Sequence, residues 1–118
     1  MSERFTDRVV WIVNAGEPIA QAVAKAFYEA SVELAELAAR ETGFGNGSDK
    51  TEKNRFASQR VWEAIREMKT VGVLHGDEKE KIMEIGVPVG VIAAIVPSTN
   101  PTSTVCYKAL IALKAGCS

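Results

Sequence analysis

Five consecutive residues carry the strongest chemical signal in the chain: Pro97-Ser98-Thr99-Asn100-Pro101. Two hydroxyls and a carboxamide stand together there, and all three can donate hydrogen bonds. The segment follows a continuous apolar run, Val89 to Val96, and precedes a helical pattern. In an open α/β sheet, ligands bind outside the carboxyl ends of the strands. Because the same turn opens a helix, its amides could face an anion or a developing oxyanion. A plainer reading competes, in which Asn100 as N-cap and Pro101 as first helical residue simply start the helix. Local physics leaves both open.

Other reactive residues read more blandly. Cys106 lies one turn into that helix, near its positive end, where a thiol pKa can fall. No histidine neighbours it in sequence, and Val105 and Tyr107 flank it, so packing is the favoured role. Cys117 carries no signal. His75 sits among turn residues without a second His, a Cys or a carboxylate pair nearby, and reads as a surface residue. Two cysteines outside any CxxC spacing and one histidine make a metal site unexpected. No G-x-G-x-x-G or Walker sequence is present, so there is no standard phosphate loop. Lys50, Lys53, Arg55, Arg60 and Arg66 read as solvated charges on a helix.

The elements that must position the turn follow from periodicity. Residues 17–42 read as one long helix, with Ile19, Val23, Ala26, Phe27, Ala30, Leu34, Leu37 and Ala38 on one face. Pro18 suits its first turn and Gly43 its stop. After a glycine-rich loop, a second helix is predicted over 49–68. Asp49 and Glu52 resemble a capping box, and Phe56, Val61, Trp62, Ala64, Ile65 and Met68 form the inward face. Residues 69–80 read as a loop or ragged strand, and Lys81 to Val87 as a strand. The run Val89 to Val96 does not alternate, which suits a strand buried on both faces of a parallel sheet. A third helix is predicted over 102–115, with Val105, Ala109, Leu110 and Leu113 inward and Gly116 ending it.

The order is helix, helix, strand, strand, helix: an α/β chain whose last strand and helix open a β-α unit. A lone buried parallel strand cannot satisfy its own backbone groups. A partner strand is therefore expected where the chain stops, and the sequence reads as part of a domain.

Apolar residues at 47% and charged residues at 25% fit a soluble globular protein. A net charge of −1 argues against nucleic-acid and membrane-surface roles, which need a basic excess. The longest apolar run is too short to span a bilayer, and no secretory signal opens the chain. With two thiols, these features predict a cytoplasmic protein.

The stretch from Val87 to Thr104 (VPVGVIAAIVPSTNPTST) resembles the corresponding part of CoA-acylating aldehyde dehydrogenases. That family also forms the N-terminal half of bifunctional aldehyde–alcohol dehydrogenases. Upstream, Glu41-Thr42-Gly43-Phe44-Gly45 resembles the family's E-[ST]-G-M-G. Asp49-Lys50 with Lys53-Asn54 resembles its D-K-x-x-K-N, and Lys69 to Leu74 its K-T-x-G-[VI]-[LI]. The blocks run in order over about residues 17–118, while residues 1–16 match poorly.

The resemblance implies the N-terminal part of an aldehyde-dehydrogenase-like fold. Two long helices would precede strands and the first β-α unit of the nucleotide-binding domain. Residues 1–118 would be a partial N-terminal, cofactor-binding domain, with the catalytic domain absent. The implied reaction converts a short aldehyde, NAD and coenzyme A to acyl-CoA and NADH, reversibly, through a cysteine nucleophile. Asn100 corresponds to the family's oxyanion-binding asparagine, and Val96, Pro97, Ser98 and Thr99 to the nicotinamide side of the cofactor cleft. Neither Cys106 nor Cys117 falls at the nucleophile's position, so this chain alone is expected to be inactive. The implied partners are a small aldehyde or acyl-CoA, with the parent a homo-oligomer. Two alternatives are a non-acylating relative, in which a tryptophan usually stands where this chain has Thr99, and a non-catalytic binding remnant.

Overall fold

A computed structural model describes residues 17–118, so the poorly matching residues 1–16 lie outside them. Helix α1 covers 17–29 and α2 Ser31–Thr42. The single predicted helix is thus divided at Ala30 (φ −85°, ψ 5°). Backbone bonds from Ala30 N to Ala26 O and from Leu34 N to Ala30 O, both 3.0 Å, join each helix to the dividing residue. Ser31 Oγ donates to Tyr28 O at 2.6 Å, and hydroxyls that bond back into the preceding turn bend helices. The inward face of α1 centres on Ala20 and Ala24 rather than on Ile19 and Ala26, which are exposed. Alanines at the contact let helices approach closely.

The second predicted helix begins earlier and is interrupted. Helix α3 (Gly47–Arg55) passes through a π-helical turn (Phe56–Arg60) into α4 (Val61–Ile65). Its cap is Asn46, not Asp49. Asp49 N donates to Asn46 Oδ1 at 2.8 Å, and Asn46 Nδ2 returns a bond to Asp49 Oδ2 at 2.9 Å. In the π turn Val61 N reaches back five residues to Phe56 O. Ser58 Oγ donates to Asn54 O at 2.7 Å there. The wider turn rotates the face. Val61, Trp62 and Ile65 still pack inward, whereas Phe56, Ala64 and Met68 are exposed.

Helix α5 (Pro101–Lys114) closes the helical layer. Cys106 and Leu110 meet Ala20, Ala24 and Ala57 in the core, with Val23, Phe27, Val61, Trp62, Ile65 and Leu113 around them. Val105, predicted inward, is exposed, and Cys106 takes the buried position. Burying Leu110 completely contributes about 2 kcal/mol. At the far end Lys114 Nζ donates to Arg66 O at 2.6 Å and pairs with Glu17.

The ragged segment is a true strand. β1 (Gly72–Asp77) pairs antiparallel with β2 (Ile82–Gly86), and Leu74 is bulged out between Val73↔Ile85 and His75↔Glu84. Asp77 Oδ1 accepts from Lys79 N and Glu80 N at the hairpin turn. A side chain at Gly86 would collide with the Thr70 carbonyl, so this position needs glycine.

The largest departure from expectation is Val89 to Val96, which forms no strand and is exposed, Val89 at 82%, Val91 at 86% and Ile95 at 85%. A strand buried on both faces needs ladder partners and covering layers. Here one residue serves: Ser118 N donates to Gly90 O at 3.1 Å and Ile92 N to Ser118 O at 2.7 Å. Those two bonds have the slanted pattern of a parallel pair. The described fold is therefore mixed α/β, a helical layer with an antiparallel hairpin, and the expected β-α unit is present as its helix and turn. No helix among the described residues is long and apolar enough to cross a membrane.

Candidate functional site

The turn before α5 is held from below by α3. Lys50, Lys53 and Asn54 are spaced by three and four residues, so they share one helix face. Each meets a residue of the turn or of the first turn of α5. Lys50 Nζ donates to Thr99 O at 2.6 Å. Lys53 Nζ donates to Asn100 Oδ1 at 3.1 Å. Thr102 Oγ1 donates to Asn54 Oδ1 at 2.8 Å, and Asn54 Nδ2 passes the link on to Ser31 O at 3.0 Å. From the other side Lys108 Nζ donates to Ile95 O at 2.6 Å. Lys50 and Asn54 are buried. The expectation of a solvated charge is corrected for Lys50, which is 4% exposed; Lys53 is exposed as expected, with its ammonium on Asn100 Oδ1.

Asn100 starts the helix through its backbone alone. Thr104 N donates to Asn100 O at 3.3 Å, and the Asn100 side chain makes no capping bond. Pro101 occupies the first helical position, where a missing N–H costs nothing. The carboxamide is thus free of the role that the plainer sequence reading assigned to it. An ammonium only donates, so the Lys53 contact fixes Oδ1 toward Lys53 and leaves the Nδ2 donors for another acceptor. Pro97, Ser98 and Thr99 form the exposed crest of the turn, with Val96 37% exposed at its base. Beside the crest an apolar groove of about 770 Å³ runs between residues 92–96 and α5.

Cys106 faces away from this turn into the core, and burial pushes its thiol up to about 12. Desolvation thus outweighs any lowering by the helix N-terminus. The packing role holds. Cys117 is also buried, and His75 is exposed on β1. No group of three or more metal-ligating side chains occurs among the described residues. Sequence reasoning missed the bracing role of Lys50, Lys53 and Asn54. The available signal was their shared helix face within an otherwise polar helix.

The helical layer, the braced turn and the family-like blocks define an aldehyde dehydrogenase type of chain. The aldehyde dehydrogenase family profile matches residues 16–118, and the chain belongs to that family. Within it the similarity is to acylating members. The bifunctional aldehyde-alcohol dehydrogenase AdhE of Escherichia coli K12 is 44% identical over 98 residues, which are 83% of this chain and 11% of that protein. The acylating sulfoacetaldehyde dehydrogenase of Cupriavidus necator is 45% identical over 84 residues, 71% of this chain and 17% of that protein. Among solved structures, a probable aldehyde dehydrogenase from Listeria monocytogenes EGD-e superposes with a TM-score of 0.86 at 51% identity, covering 90% of this chain and 23% of that one. An acetylating aldehyde dehydrogenase from Geobacillus thermoglucosidasius gives 0.86 at 48% identity, covering 90% and 24%. The chain therefore spans a ninth to a quarter of the length of these relatives.

Proposed function

We propose that these residues form part of a CoA-acylating, NAD-dependent aldehyde dehydrogenase, with Asn100 donating to the oxyanion formed when a cysteine thiolate adds to the aldehyde carbonyl. The observation that carries the reading is the Asn100 carboxamide, held by Lys53 and not spent on capping α5. Preorganised donors aimed at developing charge are the largest common source of transition-state stabilisation. Pro97, Ser98 and Thr99 offer backbone groups, hydroxyls and small side chains on an exposed crest, which fits a flat aromatic ring laid against it. NAD, when bound there, supplies the hydride acceptor; coenzyme A would be the acyl acceptor.

The acylating reading is favoured over a hydrolytic one by Thr99 at the position before Asn100, and by the acylating names of the relatives. The substrates would be a small aldehyde or acyl-CoA, and the complete enzyme a homo-oligomer. The test replaces Asn100 by Ala in a full-length acylating enzyme bearing this segment. kcat should fall by roughly 10²- to 10³-fold. An unchanged kcat would remove Asn100 from the chemistry. The 118-residue chain by itself should form no NADH from acetaldehyde, NAD and coenzyme A.

A further inference from the structure

We infer that Lys53 is a positioning residue for Asn100, holding its carboxamide by the oxygen so that the NH2 group is presented to the oxyanion. The inference rests on the reading of Asn100 given above and adds a residue to it. Three observations carry it. Lys53 Nζ lies 3.1 Å from Asn100 Oδ1, across 47 residues of sequence. The neighbours of Lys53 on the same face, Lys50 and Asn54, fix the turn at Thr99 and Thr102, so the Asn100 backbone is anchored on both sides. With the backbone anchored, the remaining freedom is rotation of the Asn100 side chain, and Lys53 is the group that meets it.

An amide end can rotate by half a turn and present oxygen where nitrogen is needed, because its terminal torsion is broad and two-fold. In the wrong orientation Oδ1 would face the oxyanion and repel it. A cation at Oδ1 removes that alternative, since an ammonium cannot accept from Nδ2. It also draws electron density toward the oxygen, which makes the NH2 group a stronger donor. Neither effect touches the substrate, so the consequence falls on kcat and not on aldehyde binding.

Lys53 is exposed, so its replacement leaves the core intact. The measurement uses a full-length acylating enzyme carrying residues 17–118 of this chain in place of its own segment, with acetaldehyde, NAD and coenzyme A. Lys53→Met should lower kcat about tenfold, the scale of one charge-assisted hydrogen bond, while KM for the aldehyde stays within about twofold. Lys53→Arg should restore most of the loss, since a guanidinium also only donates. In an Asn100→Ala background Lys53→Met should change kcat by less than about twofold, because the group it acts through is gone. An equal loss in both backgrounds overturns the inference, as does an unchanged kcat in Lys53→Met when Asn100→Ala is impaired. An unimpaired Asn100→Ala sinks the oxyanion reading itself, and this one with it. The side-chain amide resonances of Asn100 in the 118-residue chain give a check without turnover. Lys53→Met should shift them and Lys53→Arg should keep them; resonances unmoved by Lys53→Met count against the inference.

Discussion

Residues 97–102 and residues 89–96 adjoin in sequence and differ in every physical respect. The first segment is polar, runs into the first turn of α5, and is fixed by side chains from α3 that arrive 47 to 49 residues earlier in the chain. The second is apolar, rich in β-branched residues, and exposed along its length. Hydropathy alone would bury the second and leave the first to solvent. In the structure both are exposed at residues 89–99, yet the polar turn is the one held in place, because polar groups can be satisfied one by one by partners already present. An apolar strand, in contrast, gains only when layers cover it and neighbours complete its ladder. Several side chains among the described residues hold the turn, whereas only Ser118 bonds to the backbone of the run at Gly90 and Ile92.

The sharpest way to break that comparison is at Asn54, 1% exposed and bonded at both ends of its carboxamide. Asn54→Ala would leave Ser31 O and Thr102 Oγ1 without these partners inside the protein. The expected loss of unfolding free energy is about 3 kcal/mol, since each buried unsatisfied group costs about 1–3 kcal/mol. Urea titration of the 118-residue chain measures it. A loss below about 1 kcal/mol would mean that the brace adds little and that the turn is held by something else.

That brace was only half legible beforehand. Hydrophobic spacing finds α5 and the helical layer, because their alanine, leucine and valine positions repeat with the helix period. It misplaces the face of α1, where small residues and not the larger Ile19 meet α5. It also misses the π turn, since nothing in Phe56-Ala57-Ser58-Gln59-Arg60 distinguishes a wide turn from an ordinary one. Asn100 and the turn stood out by residue type. Lys50 and Lys53 did not, because a lysine on a polar helix looks the same whether its ammonium ends in water or on a carbonyl. The run Val89 to Val96 misleads for the opposite reason. Its composition suits a strand covered on both faces, whereas the described residues offer it only the two backbone bonds of Ser118.

A second test concerns the core behind the turn. Burial raises Cys106 from an ordinary 9.0 to about 12. Below pH 9 the thiol is protonated folded or unfolded and makes no difference. Above it the unfolded chain loses the proton while the folded chain keeps it. The unfolded state then binds fewer protons, so stability falls as pH rises through this window. The slope owed to Cys106 is about 1.4 kcal/mol per pH unit, losing force toward pH 12. Cys106→Ala should lack this part of the slope, and the difference between the two proteins separates it from other titrating groups. Parallel slopes would show that the α5 side of the core admits water.

The smallest expected effect on stability is also the most direct probe of the apolar run. Ile95 is 85% exposed, so Ile95→Ser removes little buried area from the folded chain. Its unfolding free energy should change by less than about 0.5 kcal/mol, the usual range for a surface position. Self-association should change far more, because an uncharged β-branched segment with open backbone groups is a template for pairing. Sedimentation of wild type and Ile95→Ser at matched concentrations should show the variant shifted toward monomer. If Ile95→Ser instead costs more than about 1 kcal/mol with association unchanged, the run is already buried in the chain by itself, and its contrast with the turn disappears.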